Sequence, residues 1–117
     1  MEKHYLKNID SQTVLQLSDL VSFQPGQIVS RTLIQNKSVG ITLFAFDSGE
    51  QISSHESTGD ALVTILEGSA VITIGEKIYT PYKGQSIVMP ARVPHALEAP
   101  EPFKMMLTVV FEYIPTA

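Results

Sequence analysis

Short apolar or alternating segments follow one another along the chain, and turn-forming residues separate them. Gly, Pro, Asn and Asp mark these separations, in stretches such as "PGQ", "NKS", "DSGE" and "IGEK". Only the stretch 10–21 has room for a helical turn. Many short strands with regular turns predict an antiparallel sandwich or barrel. The predicted strands cover residues 13–17, 27–34, 39–46, 61–66, 70–74, 77–81, 86–89, 94–99 and 103–113.

Two of the predicted strands contain segments, "ALVTIL" and "MMLTVVF", that are apolar on both faces. A strand with one face in water alternates apolar and polar residues, so both faces of these segments are expected to be covered. Either two sheets bury one another and the outer apolar residues are incidental, or a second copy covers one outer sheet. Monomers seldom expose large apolar patches, and we therefore expect a homodimer.

A chain of 117 residues fits a single domain, here an N-terminal strand or arm (1–24) and a barrel (25–113). The absence of cysteine excludes disulfides and thiolate zinc sites. A net charge of −4 with scattered basic residues argues against nucleic-acid binding. No apolar run reaches the roughly 20 residues of a membrane span, and no signal segment is recognised. A cytoplasmic location is therefore expected.

The stretches "GEQISSHESTGDALVTILEG" and "GQSIVMPARVPHALEA" together resemble the two motifs of cupins. In the first, Gly49 is followed after five residues by His55, and Gly68 closes the motif. In the second, Gly84 and Pro90 precede His95 in register. The resemblance covers nearly the whole chain and implies an all-β fold, the cupin jelly-roll or double-stranded β-helix barrel. The three glycines are expected at turns that need a positive φ.

A metal-binding cupin supplies three histidines and a glutamate from the inner wall of the barrel. The resemblance matches His55 to the first histidine and His95 to the last, while Ser57 and Ala61 replace the other two ligands. Two imidazoles and water can hold a divalent Zn, Ni, Fe, Mn or Cu ion only weakly. The other interpretation is a pair of neutral, hydrogen-bonded histidines that line the cavity.

Other residues complete the candidate site. Strand alternation predicts that Glu56 points away from the cavity, whereas Asp60 either turns inward as a ligand or, as we prefer, caps backbone amides in a turn. Arg92 replaces a glycine of the second motif, and it either anchors a carboxylate or phosphate or stays solvated. The remaining ligand-binding candidates are Ser57, Phe46 and Met105.

Two functions of different classes remain open, and a purely structural dimer is a third. The first is a small-molecule-binding cupin of unassigned role, with at most weak metal binding by His55 and His95. The second is a metal-dependent enzyme (a dioxygenase, isomerase, decarboxylase or lyase) that uses the same two histidines. Fold alone does not decide between them.

Overall fold

Residues 4–115 are described by the structure, a computed structural model of the chain. One short 3₁₀ helix, Leu17–Leu20, precedes the strands. The strands of the described residues are β1 (Ile28–Gln35), β2 (Val39–Phe46), β3 (Gln51–His55), β4 (Asp60–Glu67), β5 (Val71–Ile74), β6 (Lys77–Tyr79), β7 (Ser86–Met89), β8 (His95–Glu98) and β9 (Phe103–Val110).

The strands form two antiparallel sheets that face each other. One sheet has the order β1-β2-β9-β4-β7 and the other has the order β3-β8-β5-β6. Most neighbours within a sheet are distant in sequence, so the chain crosses repeatedly from one sheet to the other. This topology confirms the predicted all-β, double-stranded β-helix barrel.

Two strand predictions were wrong. Residues 13–17 form no strand: Val14 is fully exposed, and the 3₁₀ helix begins at Leu17, within the stretch where a helical turn was allowed. Conversely, β3 was not predicted, because its sequence "QISSH" is polar and four of its five residues are exposed. Backbone pairing with β8 holds this strand in place. Its sequence lacks the alternation of apolar and polar residues from which a strand is predicted.

The space between the sheets is filled by apolar side chains, which follow the alternation of the strands. Phe46 and Phe103 are fully buried cross-strand partners, with ring centroids 4.5 Å apart. Successive residues of β4 show the alternation clearly, since Ala61 and Val63 are buried in this core while Leu62 between them is exposed. The inner face of the five-stranded sheet therefore forms one wall of the barrel.

The N-terminal arm, residues 4–24, covers part of the outer face of the five-stranded sheet. Val21 packs in a second apolar cluster with Leu33 of β1 and Leu43 of β2. Backbone contacts tie the arm down, because the Lys7 amide donates to the Leu33 carbonyl at 2.7 Å. Lys104 of β9 also donates to the Ser18 carbonyl, at 2.8 Å. The N-terminal arm of the chain itself thus covers part of the apolar outer face of this sheet.

The rest of the outer face of this sheet mixes exposed apolar side chains with polar ones, such as the hydrogen-bonded Thr64 and Ser86. Leu62, Val88 and Val110, on β4, β7 and β9, are 39%, 50% and 56% exposed, and Leu62 lies directly opposite Val88. We call these three residues the outer patch. Separately, no helix in the range 4–115 is long and apolar enough to cross a membrane.

Candidate functional site

The fold brings together two histidines that are 40 residues apart in the chain. His55 ends β3 and His95 begins β8, and the two residues are cross-strand partners. Their Nε2 atoms lie 3.1 Å apart, with ring centroids 4.3 Å apart and planes inclined by 70°. The predicted meeting of these two imidazoles is therefore present in the structure.

A bulge in β3 aims His55 into the barrel. Ile52 pairs with Leu97, whereas His55 pairs with His95. The step between the two pairs is therefore three residues in β3 and two residues in β8. In a regular strand, two side chains three positions apart, such as those of Ile52 and His55, would point to opposite faces. The bulge resets the alternation, and the Nδ1 atom of His55 lies 3.0 Å from the Ser53 carbonyl within it.

His95 is held by the loop before β8. This residue is buried, and its Nδ1 atom lies 3.2 Å from the Val93 carbonyl. Burial lowers the pKa of His95 below the ordinary value of 6.5, the neighbouring His55 lowers it further, and the hydrogen bond to Val93 opposes both effects. The neutral form of His95 is therefore favoured in the folded protein.

Two further hydrogen bonds fix this loop to the segment that follows β3. The Arg92 amide donates to the Ser57 carbonyl at 2.8 Å, and the Ala91 amide donates to Asp60 Oδ1 at 2.8 Å. The Asp60 carboxylate thus caps a backbone amide, as preferred from the sequence, and Asp60 is not part of the cavity wall. The loops that carry the two histidines are joined directly.

The imidazole pair lies in the wall of a cavity of about 280 Å³ between the sheets. Most of the wall is apolar and comes from the inner faces of β2, β4, β8 and β9. Ser57 adds a hydroxyl, and Glu56, expected to point away, also contributes to the wall. The lining residues are Phe44, Ile52, His55, Glu56, Ser57, Ala61, Met89, His95, Leu97, Met105, Leu107 and Val109.

The remaining predicted ligand-binding residues lie in different places. Ser57 and Met105 line the cavity, as ligand-binding residues must. Phe46 is fully buried behind it, stacked on Phe103, and does not reach the wall. Arg92 is exposed and borders a separate surface depression beside Glu112. The structure therefore brings Ser57 and Met105 to the histidines, but not Phe46 or Arg92.

Arg92 also has an unusual backbone conformation, with a φ of 63°. This left-handed region favours glycine, and a glycine occupies the position in the second motif that Arg92 matches. The sequence signalled the departure from the motif, whereas the strained backbone becomes visible only in the structure.

The donor set does not fit the metal site that the resemblance implies. In the range 4–115, no group of three or more His, Cys, Asp or Glu residues is placed to hold a metal ion. Ser57 and Ala61, which replace the other ligands, line the same cavity without restoring the missing coordination. Firmly held zinc or non-haem iron usually needs at least three protein ligands, and this site offers two imidazoles.

Sequence reasoning did not identify two residues of the apolar cavity wall. Leu107 and Val109 of β9 face the cavity together with Met105, at alternate positions of one strand. That spacing was visible in "MMLTVVF", but only the observed register shows which alternate set faces inward.

Comparisons with known proteins agree with this architecture. The cupin domain family model matches residues 42–111. A conserved protein of unknown function from Streptococcus pyogenes is 47% identical, with a TM-score of 0.93, and the match covers 96% of this chain and 98% of that one. A cupin superfamily protein from Desulfitobacterium hafniense is 34% identical, with a TM-score of 0.87 and coverages of 92% and 98%.

A cupin 2 conserved barrel domain protein from Leptotrichia buccalis is 39% identical, with a TM-score of 0.80. That match covers 82% of this chain and 47% of the other. No curated protein matches the chain. Since the family model spans more than half of the chain and includes both histidine motifs, the chain belongs to the cupin family.

Proposed function

We propose that this cupin binds a small organic molecule in the cavity between its sheets. The observation that carries the proposal is an apolar cavity with a hydrogen-bonding imidazole pair in its wall. Ligand sites commonly combine an apolar lining with a few convergent polar groups. The apolar part of the ligand contacts residues such as Leu97, Met105 and Leu107, and its polar part contacts His55 and His95.

The cavity limits the size of the ligand. An apolar cavity of about 150 Å³ holds benzene, so about 280 Å³ accommodates a single ring or a short chain with one polar group. Ser57 provides a hydroxyl as a further hydrogen-bonding group. The cytoplasmic location expected from the sequence remains a prediction.

A fragment screen by two-dimensional NMR tests the proposal. We expect fragments of one ring or a short chain to shift the amide signals of cavity-lining residues on β3, β8 and β9. The variant Val88→Ala, altered on the exposed outer face, is the matched control and should bind the same fragments. Fragments that perturb only outer surfaces, or no fragment binding at all, would contradict the proposal.

Elemental analysis separates this function from the metal-dependent enzyme. Protein prepared without a histidine tag or nickel column should contain well under one metal ion per chain, because two imidazoles hold a metal weakly. A stoichiometric metal that is lost in both His55→Ala and His95→Ala would establish the enzyme instead.

A further inference from the structure

The polar side chains in the cavity wall differ in what they leave open to a ligand. They are those of His55, Glu56, Ser57 and His95. Both ring nitrogens of each imidazole already lie close to a protein atom. The Nδ1 atoms lie 3.0 and 3.2 Å from the carbonyls of Ser53 and Val93, and the two Nε2 atoms lie 3.1 Å apart. A ligand can contact the rings, but it can bond to a ring nitrogen only by displacing one of these contacts.

The Ser57 hydroxyl keeps a free donor. Its oxygen accepts a hydrogen bond from the Gly59 amide at 3.1 Å, which holds the half-buried side chain in a tight turn. A serine hydroxyl also has one proton to donate. Within residues 4–115, that proton has no protein acceptor. Ser57 therefore has one hydrogen bond left to give to a molecule in the cavity.

This donor lies where the chain departs from the metal-binding motif. Ser57 and Ala61 occupy the positions of a histidine and a glutamate in that motif, and both line the cavity. Each side chain is much shorter than the ligand that it replaces. The cavity beside the Ser57 hydroxyl therefore includes space that two metal ligands would fill.

The rest of the wall limits the chemical class of the ligand. No lysine or arginine lines the cavity, and Glu56 is an acidic residue in its wall, so the wall disfavours an anion. A carbonyl oxygen accepts hydrogen bonds and carries no proton of its own. It can therefore use the Ser57 donor without bringing an unpaired donor into a mostly apolar cavity, where such a group is costly.

We propose that Ser57 is a specificity-determining residue, whose hydroxyl donates to the carbonyl oxygen of a small neutral ketone or aldehyde with an apolar body. The inference rests on the proposed cavity-binding function, and it adds the class of ligand and the residue that recognises it. The apolar body packs against side chains such as Met105 and Leu107 on the inner face of β9.

Binding of acetophenone and of its hydrocarbon isostere α-methylstyrene, followed through the amide signals of the cavity-lining residues, tests the proposal. In Ser57→Ala, acetophenone should bind about tenfold more weakly, because its buried carbonyl oxygen loses its hydrogen-bond partner. The affinity of α-methylstyrene should not change, because a methylene group replaces the oxygen. A loosened turn at Gly59 would instead weaken both probes alike.

Two further variants control this comparison. Ser57→Thr keeps a hydroxyl and should keep the wild-type ratio of the two affinities. Ser86→Ala removes an exposed hydroxyl of β7, which lies 3.2 Å from that of Thr64, and should leave both affinities unchanged. If Ser57→Ala weakens both probes equally, or weakens neither, Ser57 does not recognise the carbonyl and the proposal is overturned.

Failure of this inference can be told apart from failure of the proposed function. If neither probe binds but other fragments shift the signals of the cavity-lining residues, the carbonyl class is wrong while the cavity-binding function stands. If no fragment occupies the cavity, both the proposed function and the ligand class are wrong.

Discussion

The left-handed backbone of the three motif glycines was predicted correctly from the sequence. Gly49, Gly68 and Gly84 all have positive φ angles, of 85°, 73° and 88°, as their motif positions predicted. Only glycine adopts this region without strain, so the residue type by itself carries the conformational information. The positive φ of Arg92 could not be predicted from its residue type, because arginine does not favour a left-handed backbone.

Alanine substitutions at two of these glycines separate strain from collision. Gly49→Ala should cost about 1 kcal/mol of unfolding free energy, because nothing lies within 4 Å of the added Cβ and only the left-handed backbone is penalised. Gly68→Ala should cost at least about 2 kcal/mol, because its Cβ would also collide with the Pro102 carbonyl oxygen. Urea unfolding measures both, and equal costs would show that the collision is relieved without penalty.

The lowered pKa of His95 predicts a pH dependence of stability. The folded protein binds fewer protons than the unfolded chain between the folded pKa and 6.5, so unfolding free energy rises with pH in that window. We therefore expect stability to fall as the pH drops below about 6.5, and His95→Gln to reduce this slope. His4→Gln is the control and should retain the wild-type slope in urea titrations. An unchanged slope in His95→Gln would show that His95 is not the cause of the pH dependence of stability.

Among the elements, strands with apolar residues were predicted well and the polar one was missed. The bounds of β2 and β7 match the predicted ranges, since both segments are apolar and lie between turn residues. By contrast, β3 is held by backbone pairing, and the bulge within it defeats any count of alternate residues. Both histidines of the site could therefore be identified from the sequence. The direction in which the His55 side chain points and the hydrogen bonds of the pair could be seen only in the structure.

The pairing of β2 with β9 stacks two fully buried aromatic rings of the core, those of Phe46 and Phe103. Phe103→Ala should lower the unfolding free energy by about 3–5 kcal/mol, because a fully buried ring stacked on Phe46 is replaced by a cavity. Val88→Ala, half exposed on β7, should cost much less. Thermal or urea unfolding measures the difference, and similar costs would mean that this core collapses around the missing ring.

At the scale of the whole molecule, coverage of the five-stranded sheet is divided. The arm covers the outer face of β1 and β2, and the outer patch of Leu62, Val88 and Val110 remains exposed. The sequence indicated that both faces of β4 and β9 needed to be covered, but it did not show that the N-terminal arm covers part of the outer face. A homodimer through the outer patch stays a prediction.

Charge placed in the outer patch tests that dimer. Leu62→Asp combined with Val88→Asp should halve the molar mass in light scattering, because two carboxylates on one face cannot be buried against a second copy without a large desolvation cost. The matched control is Ile78→Asp, which is 68% exposed on β6 of the other sheet and should leave the mass unchanged. A wild-type mass equal to that of one chain would exclude the dimer.

The bulge in β3 compensates for an odd spacing in the sequence. Removal of either Ser53 or Ser54 would leave His55 two positions after Ile52, matching the two positions from Leu97 to His95, so regular pleating alone would keep both imidazoles inside the barrel. The strand can therefore lose one residue at this point without losing its two-histidine centre.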